Sequence, residues 1–216
     1  TVVGPLLIVA GPGSGKSRVI THRIAYLVRE HSVSPYNILA MTFTNKAAKE
    51  MRERLDRLVG SRSDALTVGT FHSFCAKLLR IDGHHLGLEP NYTIYDADDQ
   101  ATIVKQSMEL AEVDPKRNPS RAVLSTISKA KNMMWDSQTM LKNAVDNYFD
   151  EICARVYHHY EEILTRNNAL DFDDLLMKSV QLLREFPEVK KKYQERYRYI
   201  MVDEFQDTNV SQYQLA

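Results

Sequence analysis

Apolar positions in the first 83 residues alternate between short unbroken runs and helical stripes, while the stretch after residue 96 is almost wholly helical in period. Pro5-Leu6-Leu7-Ile8-Val9 is an unbroken run that leads into glycines, and Ile20, Ile24, Leu27 and Val28 follow at helical spacing. That order predicts a buried strand, a loop, and a helix of about four turns opening at Lys16 and broken at Ser34-Pro35. Residues 37–43 form a second run of buried-strand type. Ala48, Met51, Leu55 and Leu58 then mark one face of a helix, with Thr44 or Asn45 as its N-cap. Leu66-Thr67-Val68-Gly69-Thr70 predicts a third strand, followed by Phe71-His72-Ser73-Phe74 and a helix ending near Gly83. Strand and helix in strict alternation mean a parallel sheet with crossover helices, hence an α/β fold.

Beyond this point, strand signal is confined to Tyr92-Thr93-Ile94-Tyr95. Helices are predicted from an Asp96 cap to about Glu112, over 120–132, and over roughly 146–166. Another opens at Asp171-Phe172-Asp173-Asp174, with carboxylates where the helix dipole favours them, and is ended by Pro187. The sheet resumes at Tyr197-Arg198-Tyr199-Ile200-Met201-Val202, which delivers Asp203-Glu204-Phe205-Gln206-Asp207-Thr208. The helical stretch therefore reads as an insertion. Residues 1–83 are the first part of the sheet domain, 84–195 the insertion, and 196–216 the second part.

The chemistry sits at the two ends of this sheet domain. Ala10-Gly11-Pro12-Gly13-Ser14-Gly15-Lys16-Ser17, with Arg18 after it, is a phosphate-binding P-loop of Walker A type. Glycines permit the positive φ angles that turn backbone N–H groups inward at a helix N-terminus, where they hold an anion. Lys16 reaches the β- and γ-phosphates and the Ser17 hydroxyl ligates Mg²⁺. The pattern usually begins with glycine, and here Ala10 stands in that place. An apolar strand ending in Asp203-Glu204 is the matching Walker B half of a nucleoside triphosphate site: Asp203 holds Mg²⁺, and Glu204 orients or deprotonates the attacking water.

Net charge is zero, but its distribution is not even: 12 basic and 6 acidic residues lie in 1–83, against 16 and 22 in the remainder. The basic part suits either a polyanion or a solvated helix face. Cys75 and Cys153 form no close pair and read as reduced thiols of a cytoplasmic protein. No apolar run is long enough to span a membrane, and no signal peptide is visible. His84-His85 and His158-His159 lack ligand spacing, so no metal centre is expected there.

Strand ends in a parallel sheet carry ligand sites, so Phe43 and Thr70 should open on one edge. On the residues alone, Phe43 is either a packed core ring or a platform for base stacking, with Lys46 and Lys49 adding charge for phosphates. His72 is either a buried or capping histidine or a nucleic-acid contact. Lys129 and Lys131 suit a solvated helix face better than a duplex contact.

With these motifs in order, the chain resembles the UvrD/Rep/PcrA-type superfamily 1 DNA helicases. The stretch from Ala10 to Arg18 is similar to motif I, Met41-Thr42-Phe43-Thr44-Asn45-Lys46-Ala47-Ala48 to motif Ia, and Gly69-Thr70-Phe71-His72-Ser73 to the motif that follows. Leu170-Asp171-Phe172-Asp173-Asp174-Leu175 is similar to a segment late in the family's insertion, and the stretch from Asp203 to Thr208 to motif II. The resemblance implies a RecA-like motor domain, 1A, interrupted by a helical domain, 1B, and ATP-driven 3′-to-5′ movement on single-stranded DNA and its duplex junctions. It places Arg18 against adenine, makes Gln206 the sensor of the γ-phosphate, and lines the DNA path with Phe43, Thr44, Asn45, Thr70 and His72. The family's upstream glutamine segment and its second RecA-like domain are not in these 216 residues, so this stretch alone is expected to show little unwinding. Two other readings stand beside it: a nucleotide- and DNA-binding module without turnover, and a P-loop kinase or transferase with a helical lid. The segments at Phe43 and at Asp203 weigh against the last.

Overall fold

The computed structural model describes residues 4–9, 11 and 15–216. Two compact units make up the chain: residues 1–74 with 187–208 and Ala216, and residues 75–186 with 209–215. The seams thus fall at 74/75 and 186/187, where composition alone had suggested 83/84 and 195/196, and a third falls at 208/209.

In the first unit, α1 (Lys16–Glu30) is followed by β1 (Ile38–Thr42), α2 (Asn45–Val59), β2 (Thr67–Thr70) and the start of α3 (Phe71–Asp82). The chain returns as α9 (Pro187–Arg196) and β5 (Tyr199–Val202). The three strands form a parallel sheet in the order β2-β1-β5. All five residues of the central β1 are buried, as befits a strand covered on both faces. Ile24, Leu27 and Val28 of α1 and Met51 and Leu55 of α2 close over Ile38 and Ala40. The Thr44 hydroxyl caps α2 by accepting from Ala47 N–H at 3.1 Å.

The expected strand over residues 5–9 is not formed. These residues have no regular structure, and Leu7 and Val9 are 72% and 88% exposed. An apolar run signals a wish for burial, but a strand also needs a neighbouring ladder. The β1 edges are already taken by β2 and β5, and among the described residues nothing pairs with 5–9. Pro187, expected as a terminator, instead opens α9, since a proline in the first turn forfeits no helical hydrogen bond.

The second unit is helical: α4 (Ala97–Leu110), α5 (Ser120–Asn132), α6 (Ser137–Asn143), α7 (Tyr148–Arg166), α8 (Phe172–Glu185) and α10 (Val210–Leu215). A two-residue parallel pair, β3 (Thr93–Ile94) with β4 (Ala169–Leu170), ties its ends. Ile103, Val104, Val123, Ile127, Val156 and Tyr160 lie at its core. Lys131 is not on a solvated face. It is 1% exposed, and its ammonium donates to Asp171 Oδ2 at 2.7 Å and Asp174 Oδ1 at 2.8 Å. Tyr160 OH donates to the same Asp171 oxygen at 3.0 Å. Val123, Ile127, Ala130 and Lys131 are the buried residues of α5, so the lysine stands on the helix's apolar stripe. Burial and the neighbouring Asp171 push the Asp174 carboxyl up to about 6, while the two carboxylates hold Lys131 above its ordinary range despite its burial.

Candidate functional site

The sheet brings together residues that are distant in the chain. Asp203 N–H donates to Met41 carbonyl at 3.0 Å, extending the β1–β5 ladder by one residue and fixing Asp203 beside the end of β1. Its carboxylate is 6% exposed. Oδ2 accepts from Ser17 Oγ at 2.6 Å, a bond between residues 186 positions apart, and Oδ1 accepts from Glu204 N–H at 3.1 Å. Glu204 then turns the chain with φ 51° and ψ 44°, in the left-handed region that few non-glycine residues adopt. That turn directs its carboxylate to Lys16, whose ammonium lies 2.9 Å from Oε2. Gln206 Nε2 donates to the same oxygen. The hydrogen bond from Gln206, then that from Lys16, holds the Glu204 carboxyl below the usual glutamate range.

Gly15 precedes α1 at φ 87°, a conformation strained for any side chain. Of the remaining loop positions, Gly11 is exposed, and Ala10, Pro12, Gly13 and Ser14 lie outside the described residues. Arg18 is exposed and borders a groove of about 580 Å³ that is also lined by Leu6, Ile8, Val19 and Tyr26. A buried carboxylate 2.6 Å from a hydroxyl is a donor set that suits Mg²⁺, which takes one or two protein oxygens and completes its shell with water and phosphate. Ser17 and Asp203 therefore fit that ion.

The candidate nucleic-acid residues lie at the ends of adjacent strands. Thr42 of β1 is in register with Thr70 of β2, which places Phe43, Thr44, Asn45 and Lys46 along the same sheet edge as Thr70 and His72. The Phe43 ring is half-buried, its centroid 5.6 Å from that of the buried Phe71 at an angle of 56°. Phe43 is thus backed by another aromatic ring and still reaches solvent. Asn45 and Lys46 are exposed on the first turn of α2, while Thr44 is engaged as its cap. Thr70 is 7% exposed, and its hydroxyl accepts from Ser73 N–H at 3.2 Å, so the side chain serves the start of α3. Ser73 Oγ returns to the Thr70 carbonyl at 2.9 Å. A Cβ on Gly69 would come within 2.6 Å of that oxygen, which explains the glycine. His72 is half-buried. His158 and His159 both face Glu162, at 3.5 and 2.9 Å.

Sequence reasoning missed Asn132 and the Asn209 that follows the acidic turn. Asn209 Nδ2 donates to Asn132 Oδ1, and nothing in either residue's local pattern signals that pairing.

An α/β protein whose parallel sheet brings a lysine, a serine and two carboxylates to one edge is thereby defined. The chain belongs to the UvrD/REP helicase N-terminal domain family, whose model matches residues 1–216. It is 48% identical over 216 residues to the ATP-dependent DNA helicase PcrA of Staphylococcus aureus, and 48% identical to PcrA of Staphylococcus epidermidis. In both cases the match covers the whole chain and 30% of the relative's length.

Proposed function

We propose that this chain is part of an ATP-driven DNA helicase moving 3′ to 5′ on single-stranded DNA, and that its first unit is a RecA-like P-loop domain, 1A, with the helical unit as 1B. The reading is carried by one observation: Ser17 bonded to Asp203 and Lys16 to Glu204 join the two halves of a nucleoside triphosphate site across the sheet edge. Family membership and the match to proteins named ATP-dependent DNA helicases support ATP and DNA as the ligands. A second RecA-like domain is proposed for the part of the protein corresponding to the other 70% of these relatives.

In this mechanism Lys16 exchanges the Glu204 carboxylate for the β- and γ-phosphate oxygens when ATP enters, an anion-for-anion swap that leaves the ammonium compensated. Glu204, released from the lysine, accepts a proton from the water that attacks the γ-phosphorus as ADP departs. Gln206, now bonded to Glu204, is placed to report whether the γ-phosphate is present. Ser17 and Asp203 hold Mg²⁺, which when bound neutralises charge on the phosphates. Arg18 lies against the base, with the backbone N–H groups of 10–15 around the phosphates.

Lys16→Ala is expected to weaken Mg²⁺-ATP binding by about 1.5–3 kcal/mol, roughly ten- to a hundredfold. Calorimetry giving equal affinity for both proteins would remove Lys16 from this role. For DNA, Phe43 offers a stacking face, Lys46 and Asn45 reach the backbone, and Thr70 and His72 border the same path. Phe43→Ala should lower affinity for single-stranded DNA by about 1–3 kcal/mol, with similar loss across sequences because every base has a π-face. Fluorescence anisotropy showing no change in a folded variant would make Phe43 simply the packing partner of Phe71.

A further inference from the structure

Glu204 holds a left-handed backbone conformation that a non-glycine residue keeps only where both flanks are fixed. The upstream flank is fixed by the Asp203–Met41 ladder bond. Downstream, the turn is tight: Asp207 N–H donates to Glu204 carbonyl at 2.9 Å, and Thr208 Oγ1 donates to Phe205 carbonyl at 2.8 Å. The next residue is Asn209. Its N–H donates to Gln212 Oε1 at 3.0 Å and its Oδ1 accepts from Gln212 N–H at 2.9 Å, so it caps α10. Its remaining polar group, Nδ2, donates to Asn132 Oδ1. Ser211 Oγ adds a bond to the Asn132 carbonyl at 3.1 Å.

Asn132 is itself held firmly. Its Nδ2 donates to Asp173 Oδ1 at 3.0 Å and to Ser128 carbonyl at 2.8 Å, and its sequence neighbour is the buried Lys131 bridging Asp171 and Asp174. The three carboxylates all belong to the start of α8. Three residues separate Gln206 from Asn209, so their Cα atoms lie at most about 11 Å apart whatever the path. A shift of Asn209 is therefore felt at Gln206 and Glu204.

We infer that Asn209 and Asn132 are positioning residues for ATP hydrolysis: their side-chain bond anchors the downstream end of the turn that aims Glu204 and Gln206. This rests on the function proposed above. The helical unit thereby contributes to catalysis through the chain itself, with no group of its own at the phosphates.

Asn209→Asp separates anchoring from capping. Aspartate caps a helix as well as asparagine, and its oxygen still accepts from Gln212 N–H, but it has nothing to donate to Asn132. Measured in the full-length enzyme with saturating single-stranded DNA, Asn209→Asp should lower kcat for ATP about ten- to a hundredfold, as expected for a misplaced catalytic group. KM should stay within about twofold, since Lys16 and Ser17 are untouched. Asn132→Ala should act alike, and the pair together should cost no more than either alone. Amide exchange over 203–208 should quicken in Asn209→Asp with the rest of the exchange pattern preserved. Wild-type kcat in Asn209→Asp, beside a Glu204→Gln control that has lost turnover, would overturn the inference and leave the site reading standing. Retained turnover in the control would overturn both.

Discussion

Glutamine in place of Glu204 is expected to abolish ATP turnover while leaving Mg²⁺-ATP affinity nearly intact. The amide keeps the shape of the carboxylate but cannot take a proton from water, and loss of a general base costs about 10²–10⁴ in rate. In the present arrangement Glu204 is ionised, its carboxyl held below the usual range by Gln206 and Lys16, so it starts as a base. The substitution also frees Lys16 of a competing anion 2.9 Å away, which works against any loss of nucleotide affinity. Phosphate release under single-turnover conditions checks this. A variant within tenfold of wild type would take the base role from Glu204.

The second large effect is on stability. Lys131→Met leaves Asp171 and Asp174 buried without their cation, and breaking such a group from one side costs about 3–5 kcal/mol. The expected result in urea is a much lower midpoint for the helical unit. Further replacement of Asp171 by Asn, which still caps α8, and of Asp174 by Leu should recover much of the loss, because no unpaired charge remains buried. The pH dependence has a definite sign. Asp174 already sits near 6, above the ordinary aspartate value, and removing the lysine takes away an influence that lowers it. The folded variant then binds protons more readily than its unfolded chain, so its deficit should narrow as pH falls from 7 toward 5. A deficit that widens over that range would mean the carboxylates are solvated once the lysine is gone.

Several features were legible in the chain because local chemistry alone decides them. The helix expected over 120–132 forms at those bounds, and Thr44 caps α2 through its own hydroxyl. Asp203 and Glu204 were readable as a strand end because β5 is short, apolar and followed at once by carboxylates. Elements whose existence depends on distant partners were not readable. Helix α6 has only seven residues and no apolar stripe of its own, although Asp136 caps it by accepting from Thr139 N–H at 2.7 Å. The pairing of β4 with β3 involves two residues, too few for any period. Residues 6–9 carry the pattern of a buried strand, yet pattern cannot say whether a ladder edge is free to receive it. Lys131 shows the reverse case. Charge suggested solvent, whereas its place on the apolar stripe of α5 was the truer signal, and two carboxylates 40 and 43 residues away made that burial tolerable.

The account's central claim is that ATP chemistry at Lys16, Ser17, Asp203 and Glu204 is coupled to single-stranded DNA along the edge that carries Phe43. It is tested most directly by following the γ-phosphoryl group of ATP in the full-length protein, with and without single-stranded DNA, in the presence of small-molecule phosphoryl acceptors. The account predicts release as inorganic phosphate at a rate that rises steeply with DNA. Transfer of the group to a small acceptor, or a rate indifferent to DNA, would contradict it.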